Sequence, residues 1–240
     1  MNKIDRYLSG DYTKKNHSYH IEDSEFKWKN FVKILKKSNL NLDEVNSVSD
    51  VGCGSGQILI HANNSKLFNQ QCVFDGYDIN PDAINAAKKN SKKVNFFNED
   101  FINLKEIKRN LIIAADVFEH IQDTYNFLKK LKDKGDFFLF NIPLEISLFS
   151  MIRKKNIFKH SFENVGHLHF YTKRTALLTL ENIGFKILNY NLVNNRFEEF
   201  RKNKKIYSLI INIPQYILEK LSKNSACSIF GGYSLVVLAK

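Results

Sequence analysis

Apolar and polar positions along this chain change period repeatedly, short apolar runs alternating with stretches of helical spacing. From Ser24 to Lys37 the apolar positions Phe26, Trp28, Phe31, Val32, Ile34 and Leu35 fall mostly at helical spacing. Ser24 is placed to cap that helix, with Glu25 in its first turn. A β-prone run around Val48 and Val51 enters a glycine-dense turn, and Gln57-Ile58-Leu59-Ile60 leaves it with helical character. Cys72 to Ile79 reads as a second strand ending in an acid, Asp78. Asn80-Pro81-Asp82 then opens a helix, where proline is tolerated in the first turn. Val94 to Phe97 is a third strand. Leu111 to Ala115 is continuously apolar, as a central parallel strand buried on both faces should be.

The spacing next predicts a helix from Asp116 to about Lys134, then a fifth strand from Phe137 to Ile142 stopped by Pro143. Residues 143–170 are too long for a simple loop and are expected to carry function. Thr172 to Ile183 reads as an amphipathic helix with Ala176, Leu177, Leu180 and Ile183 inward, and Gly184 to Leu188 begins a sixth strand. A second insertion, about 194–228, precedes Gly231-Gly232 and a last strand, Tyr233 to Ala239. Residues 1–23, with Tyr7, Tyr12, His17, Tyr19 and His20, lack a clear period and read as an N-terminal arm. The strand–helix alternation predicts an α/β, doubly wound fold, and 240 residues suit one such domain with insertions.

The glycine turn reads Asp50-Val51-Gly52-Cys53-Gly54-Ser55-Gly56. A strand, a glycine turn and a helix N-terminus together suit the polar part of a nucleotide-like ligand. A dinucleotide fingerprint wants a further glycine three positions after Gly54, and Gln57 stands there. Asp78 lies 22 residues after Gly56, at the end of the second strand, where an acid can accept hydrogen bonds from ribose hydroxyls.

The acid-x-Gly-x-Gly-x-Gly pattern resembles motif I of class I S-adenosylmethionine (SAM) dependent methyltransferases. The resemblance extends over nearly the whole chain. It implies a seven-stranded, mostly parallel sheet whose final strand runs antiparallel, with insertions after strands five and six building the substrate site. It implies a cofactor set of Asp50, Gly52, Cys53, Gly54, Gly56, Asp78, Ile79, Asp100, Phe101 and Asp116, with Asp100 at the adenine amino group and Phe101 near the ring. His20-Ile21-Glu22-Asp23-Ser24-Glu25-Phe26-Lys27-Trp28 resembles a segment that, in some bacterial members, would close over the SAM and substrate sites.

A helix starting at Asp116 would put Asp116, Glu119 and His120 on one face, at the carboxyl end of the fourth strand. Two carboxylates and an imidazole so arranged could hold Mg²⁺ or Mn²⁺. His167 and His169 have strand spacing and would share a face. An acid-x-x-Glu-His run followed by a histidine and Tyr171-Thr172 resembles metal-dependent small-RNA 2′-O-methyltransferases and ubiquinone-pathway O-methyltransferases. That resemblance implies Asp116, Glu119, His120 and His167 as metal ligands, with Asp116 shorter than the glutamate of the RNA enzymes. Glu-His pairs at this position also occur in metal-free methyltransferases, where the histidine is a general base or merely lines the pocket. Glu119, His120 and His167 are the expected catalytic residues. His169 is assigned to packing or substrate, and His61 and His160 have no partner in sequence.

An alcohol attacks poorly at neutral pH, so imidazoles with carboxylates suit O-methylation of a hydroxyl. The expected acceptor is a small polar metabolite, a sugar or nucleotide-linked sugar of surface-glycan biosynthesis. RNA 2′-O-methylation is the first alternative, and a non-catalytic SAM-fold binding protein the second. Residues 206–221 could also serve a lipid-linked acceptor as an amphipathic surface helix, although a core or homodimer helix is the simpler expectation.

The formal charge of +11 suggests an anionic, phosphate-bearing partner. Its source is almost wholly lysine, without a block of five like charges, and this favours a solvated surface over a nucleic-acid groove. Cys53, Cys72 and Cys227 have no metal-ligand spacing, and no apolar signal core or membrane-length run is present. The expected setting is the reducing cytoplasm.

Overall fold

Residues 111–114 show how the sheet divides the molecule. Leu111 and Ile113 pack on one face and Ile112 and Ala114 on the other, the period of two that a strand imposes on its side chains. In the computed structural model, which describes residues 21–153, 156–196, 198 and 207–240, seven strands form one sheet of order β3-β2-β1-β4-β5-β7-β6. They are β1 (Ser47–Val51), β2 (Val73–Tyr77), β3 (Asn95–Phe97), β4 (Arg109–Ala115), β5 (Gly135–Leu144), β6 (Ile187–Asn194) and β7 (Tyr233–Ala239). The β3-β2-β1-β4-β5 pairings are parallel, and β7 runs antiparallel to both β5 and β6. The seven-stranded doubly wound sheet expected from the sequence is the observed one.

Helices cover both faces. Trp28, Phe31, Ile34 and Leu35 of α1 (Ile21–Lys36), Leu59 and Ala62 of α2 (Gln57–Asn64) and Ile84 and Ala87 of α3 (Pro81–Asn90) pack on one side. Leu128 and Leu131 of α4 (Thr124–Lys132) and Ala176 and Leu180 of α7 (Lys173–Ile183) pack on the other. Between β5 and α7 lie α5 (Leu148–Ile152) and α6 (Ile157–His160), and between β6 and β7 lie α8 (Tyr207–Leu221) and α9 (Lys223–Phe230). Among the described residues no helix is long and apolar enough to cross a membrane. The arm residues Tyr7, Tyr12, His17, Tyr19 and His20 lie outside the described residues.

Four sequence expectations need correction. Ser24 does not cap the first helix, which already runs from Ile21 and includes Ser24 in its first turn. Pro143 does not stop the fifth strand, which continues to Leu144. The Asn141 carbonyl faces β4, where Asp116 donates to it at 2.9 Å, so Pro143, two residues on, faces the same side after β4 has ended. Its missing N–H therefore costs no ladder bond. The helix predicted from Asp116 begins only at Thr124, capped by Asp123. Ahead of it, Asp116 takes a left-handed conformation (φ 55°) and Phe118–His120 form a single 3₁₀ turn. Gly184 belongs to the end of α7 as its left-handed cap, and β6 starts at Ile187.

The phenyl ring of Phe140, fully buried, meets Phe118 and Phe185 edge-on and stacks with Phe138. Phe140→Ala should lower unfolding stability by about 3–5 kcal/mol, read as a reduced urea midpoint with an unchanged slope.

Candidate active site

The glycine turn joins β1 to α2 by way of three left-handed glycines, Gly52, Gly54 and Gly56 (φ 73°, 53° and 75°). A side chain at Gly56 would strike the Phe96 ring, with a Cβ only 2.3 Å from it. At Gly54 a Cβ would meet nothing within 4 Å. Gly54 thus lines open space, the place where backbone can approach a ligand. The Tyr77 carbonyl accepts from the Gly52 and Cys53 amides, fastening the turn to the end of β2. Asp78 completes the frame: its carboxylate accepts from the amides of Gly54 at 2.9 Å and Asn80 at 2.8 Å. Burial raises its pKa while those two amides oppose the rise.

Ile79 is 38% exposed at the mouth of this turn. Asp100 is exposed and caps the next 3₁₀ turn through Ile102 and Asn103. Phe101, expected beside an adenine ring, is 1% exposed and packs beneath Tyr77 at 4.9 Å between centroids. A side chain lining a ligand crevice should be accessible with no ligand present, so Phe101 is corrected to a core residue. Cys53 is buried, and burial pushes its thiol pKa well up, an inert sulfur rather than a reactive one.

At the carboxyl end of β4 the Asp116 carboxylate is held from two sides. Asn141 Nδ2 donates to Oδ1 at 2.6 Å and Lys27 Nζ pairs with Oδ2 at 2.5 Å. Lys27 reaches in from α1. Burial works to lower its pKa, but Asp116, with Asp23 and Glu119, outweighs burial and holds it above its ordinary value. Asp50 sits close by, 2% exposed. Burial first, and then the charge of Asp78, push its pKa up to about 8, with Lys27 opposing.

The 3₁₀ turn carries two of the candidate catalytic residues, Glu119 and His120. Glu119 is 0% exposed, and among the described residues neither of its carboxylate oxygens has a hydrogen-bond partner. Burial and the neighbouring Asp116 and Glu145 carboxylates drive its pKa well up. His120 and His167 lie almost perpendicular, with ring centroids 4.7 Å apart. One donor atom from each of Glu119, His120 and His167 lies within 4.8 Å of the other two. The segment bearing His167 is tied down by its backbone, since Leu168 and His169 both donate to the Glu119 carbonyl.

Each imidazole is oriented from behind. His120 Nδ1 faces the Gly166 carbonyl at 3.2 Å, and His167 Nδ1 faces Glu145 Oε2 at 2.7 Å. Both contacts put the proton on Nδ1 and leave Nε2 with its lone pair, the arrangement found around metal-binding and proton-accepting histidines. The expected four-ligand set is thus only three-quarters assembled. Asp116 does not join the cluster because it lies on no common helix face with Glu119. His169 also diverges: residues 165–172 are not a strand, and its ring donates to the Ile121 carbonyl at 2.9 Å. His61 lies in the last turn of α2, and His160 is exposed on α6.

A methyltransferase-domain family model matches residues 25–190, more than half of the chain. The chain belongs to this family. No curated protein matches it. Among solved structures, the magnesium protoporphyrin IX methyltransferase of Synechocystis, solved with bound SAH, is 15% identical. That match covers 94% of this chain and 85% of that one, with a TM-score of 0.57. A SAM dependent methyltransferase from Archaeoglobus fulgidus is 18% identical over 90% of this chain and 94% of that one, at 0.57. The [4+2]-cyclase SpnF is 14% identical, covering 88% and 79%, also at 0.57. These identities establish the fold alone; the cyclase illustrates that the fold does not dictate the reaction.

Two positioning residues of this methyltransferase escaped the sequence reading. Glu145 looked like one acid in a long connection, and Asn141 like an interior residue of an apolar strand. A polar residue in a run otherwise buried on both faces was the available signal for Asn141. Lys27 was visible inside a quoted motif, but nothing local pointed it at Asp116, 89 positions away.

The raised pKa of Asp50 has a testable sign. Below about pH 4 the carboxyl is protonated in folded and unfolded chains alike. As pH rises toward 8 the unfolded chain releases the proton while the folded chain keeps it, so stability falls across that interval and levels off above it. Asp50→Asn should flatten the dependence of Tm on pH and melt above the wild type at pH 8, the two converging near pH 4. Parallel profiles would show that Asp50 ionises normally.

Proposed function

We propose that this methyltransferase transfers the methyl group of SAM to a hydroxyl of a small polar acceptor, a sugar or a nucleotide-linked sugar. The observation that carries the reading is the buried, partnerless Glu119 carboxylate beside two Nδ1-anchored imidazoles. A charge removed from water without a partner costs several kcal/mol, roughly, so a cation or a proton belongs there. Two imidazoles and one carboxylate fit a divalent ion, and two nitrogen donors favour Mn²⁺ over Mg²⁺.

The donor side uses the glycine turn and its surroundings. The open face at Gly54 suits the methionine part of SAM, with Gly52, Cys53 and Gly56 forming the turn. Asp78 and Ile79 suit the ribose, and Asp100 the adenine amino group. Asp50 and the Lys27–Asp116 pair border the same end of the crevice. When bound, SAM supplies a methyl group already activated on a sulfonium, and a divalent cation lowers the pKa of a coordinated hydroxyl.

The chain's own part is placement and proton management. Glu119, His120 and His167 would hold the ion and the acceptor oxygen against the donor. In this reading both Nε2 lone pairs would be taken by the ion, so the proton of the coordinated hydroxyl would leave to solvent as its pKa falls, and Glu145 at His167 Nδ1 would orient that imidazole and strengthen it as a ligand. RNA is not favoured: the exposed face of α8 carries one aromatic and one basic side chain, Tyr216 and Lys220, among the apolar Ile213, Ile217 and Leu221, where an RNA surface would be mainly aromatic and basic.

The test is SAM turnover against pools of nucleotide sugars and of RNA, with and without chelator, alongside calorimetric binding of SAM and Mn²⁺. Turnover should appear with the sugar pool, vanish in chelator and return with Mn²⁺. Glu119→Gln and His167→Ala should each lower it by about 10²-fold or more while SAM affinity stays within a few-fold. Full activity in chelator with a silent His167→Ala would remove the metal, turnover on RNA alone would replace the acceptor, and absence of SAM binding would end the enzyme reading.

A further inference from the structure

A second cavity, of about 300 Å³, opens at the carboxyl ends of β5 and β6, where β7 begins, on the same edge of the sheet as the glycine turn. Its walls include Glu145, Ser147, Arg153, Arg196 and the Gly231-Gly232 pair. The chain has six arginines among 36 basic residues, and two of the six stand on this one cavity. Against a lysine-dominated surface, that is a local choice of the side chain suited to planar, bidentate contacts with oxyanions.

The surroundings are shaped to hold those groups. Arg196 Nη1 donates to Gln215 Oε1 at 3.0 Å and Nη2 to the Phe230 carbonyl at 3.3 Å, so its head is oriented before any ligand arrives. Gly231 and Gly232 are both left-handed (φ 69° and 79°). A Cβ on Gly232 would lie 3.0 Å from Arg196 Nε, and one on Gly231 would lie 2.7 Å from Ser147 Oγ. The glycine pair therefore leaves space for the guanidinium and the hydroxyl. Arg153 stands exposed at the rim, just after α5. Among the described residues the wall carries one carboxylate, Glu145, and both of its oxygens are engaged, by Ser161 Oγ and by His167 Nδ1.

We infer that this cavity is an oxyanion subsite that anchors a phosphate or carboxylate group of the acceptor through Arg153 and Arg196. Glu145 is shared by the cavity wall and by His167, so an acceptor with its hydroxyl at the histidines extends past Glu145 with its charged end toward the arginines. The inference rests on the methyl-acceptor reading above and narrows it to acidic small molecules.

The experiment is calorimetric titration of the full chain, without added divalent cation, with pyrophosphate, with glucuronate and with neutral glucose, SAM being titrated in parallel. Pyrophosphate or glucuronate should bind and glucose should not; the tighter of the two names phosphate or carboxylate as the recognised group. Arg153→Gln and Arg196→Gln should each weaken that anion by about tenfold and leave SAM affinity unchanged within about twofold. Arg153, being exposed, tests the site without risk to folding should Arg196→Gln melt early. Anion binding that Arg153→Gln leaves untouched, or no anion binding by a chain that still binds SAM, overturns the subsite while leaving the methyltransferase reading in place. Failure of the wild-type chain to bind SAM removes the reading beneath it instead.

Discussion

The candidate site depends on how β4 ends. Asp116 is fixed through its backbone amide to the Asn141 carbonyl, through Oδ1 to the Asn141 side chain, and through Oδ2 to Lys27. Those three contacts extend the β4–β5 pairing by one residue and hold a non-glycine residue at positive φ, a conformation that aspartate tolerates better than most residues. The chain then turns too sharply to begin a helix. Phe118 goes into the core, Glu119 follows it out of solvent, and His120 is left facing the crevice. A regular helix from Asp116 would have presented a different set of side chains.

Burying Glu119 is the costly step in this arrangement, and the surrounding structure is committed to it. Its carbonyl accepts two amides from the His167 segment, and Thr124 Oγ1 bonds the carbonyls of Phe118 and Ile121 at the two ends of the turn. These bonds fix the backbone from which the carboxylate projects and tie the His167 segment to it. A buried carboxylate that finds no hydrogen-bond partner among the described residues is a candidate place for chemistry.

The fold was legible because it is written in short-range pattern. Apolar runs marked β2, β4 and β7, and the glycine turn marked the β1–α2 junction. The failures were of a different physical kind. Pro143 was misread because its tolerance depends on which neighbour strand has already ended, and Phe101 because a residue next to a binding acid can face either way. The α8 reading shows the same limit. A core or homodimer helix was the simpler expectation there, yet Asn212 and Gln215 are buried while Ile213, Ile217 and Leu221 face out. Gln215 is needed inside to hold Arg196 and the Gly231 carbonyl, and Glu219 to accept from Tyr233 and Asn194. Long-range polar demand overrode the local pattern.

Charge is distributed along the crevice in a way that a single motif would not reveal. At the glycine-turn end Lys27 is felt by Asp23, Asp50, Asp116 and Glu119, with Asp78 next to Asp50, and the raised pKa values of Asp50, Asp78 and Glu119 follow from burial, augmented by neighbouring carboxylates at Asp50 and Glu119. At the far end the cavity wall carries Arg153 and Arg196. On the proposed reading, the sulfonium of the donor lies among the carboxylates and the oxyanion of the acceptor beside the guanidiniums. The Glu119–His120–His167 cluster, linked to the cavity through Glu145, stands between them, so exchanging the two ligands would bring a sulfonium against the guanidiniums.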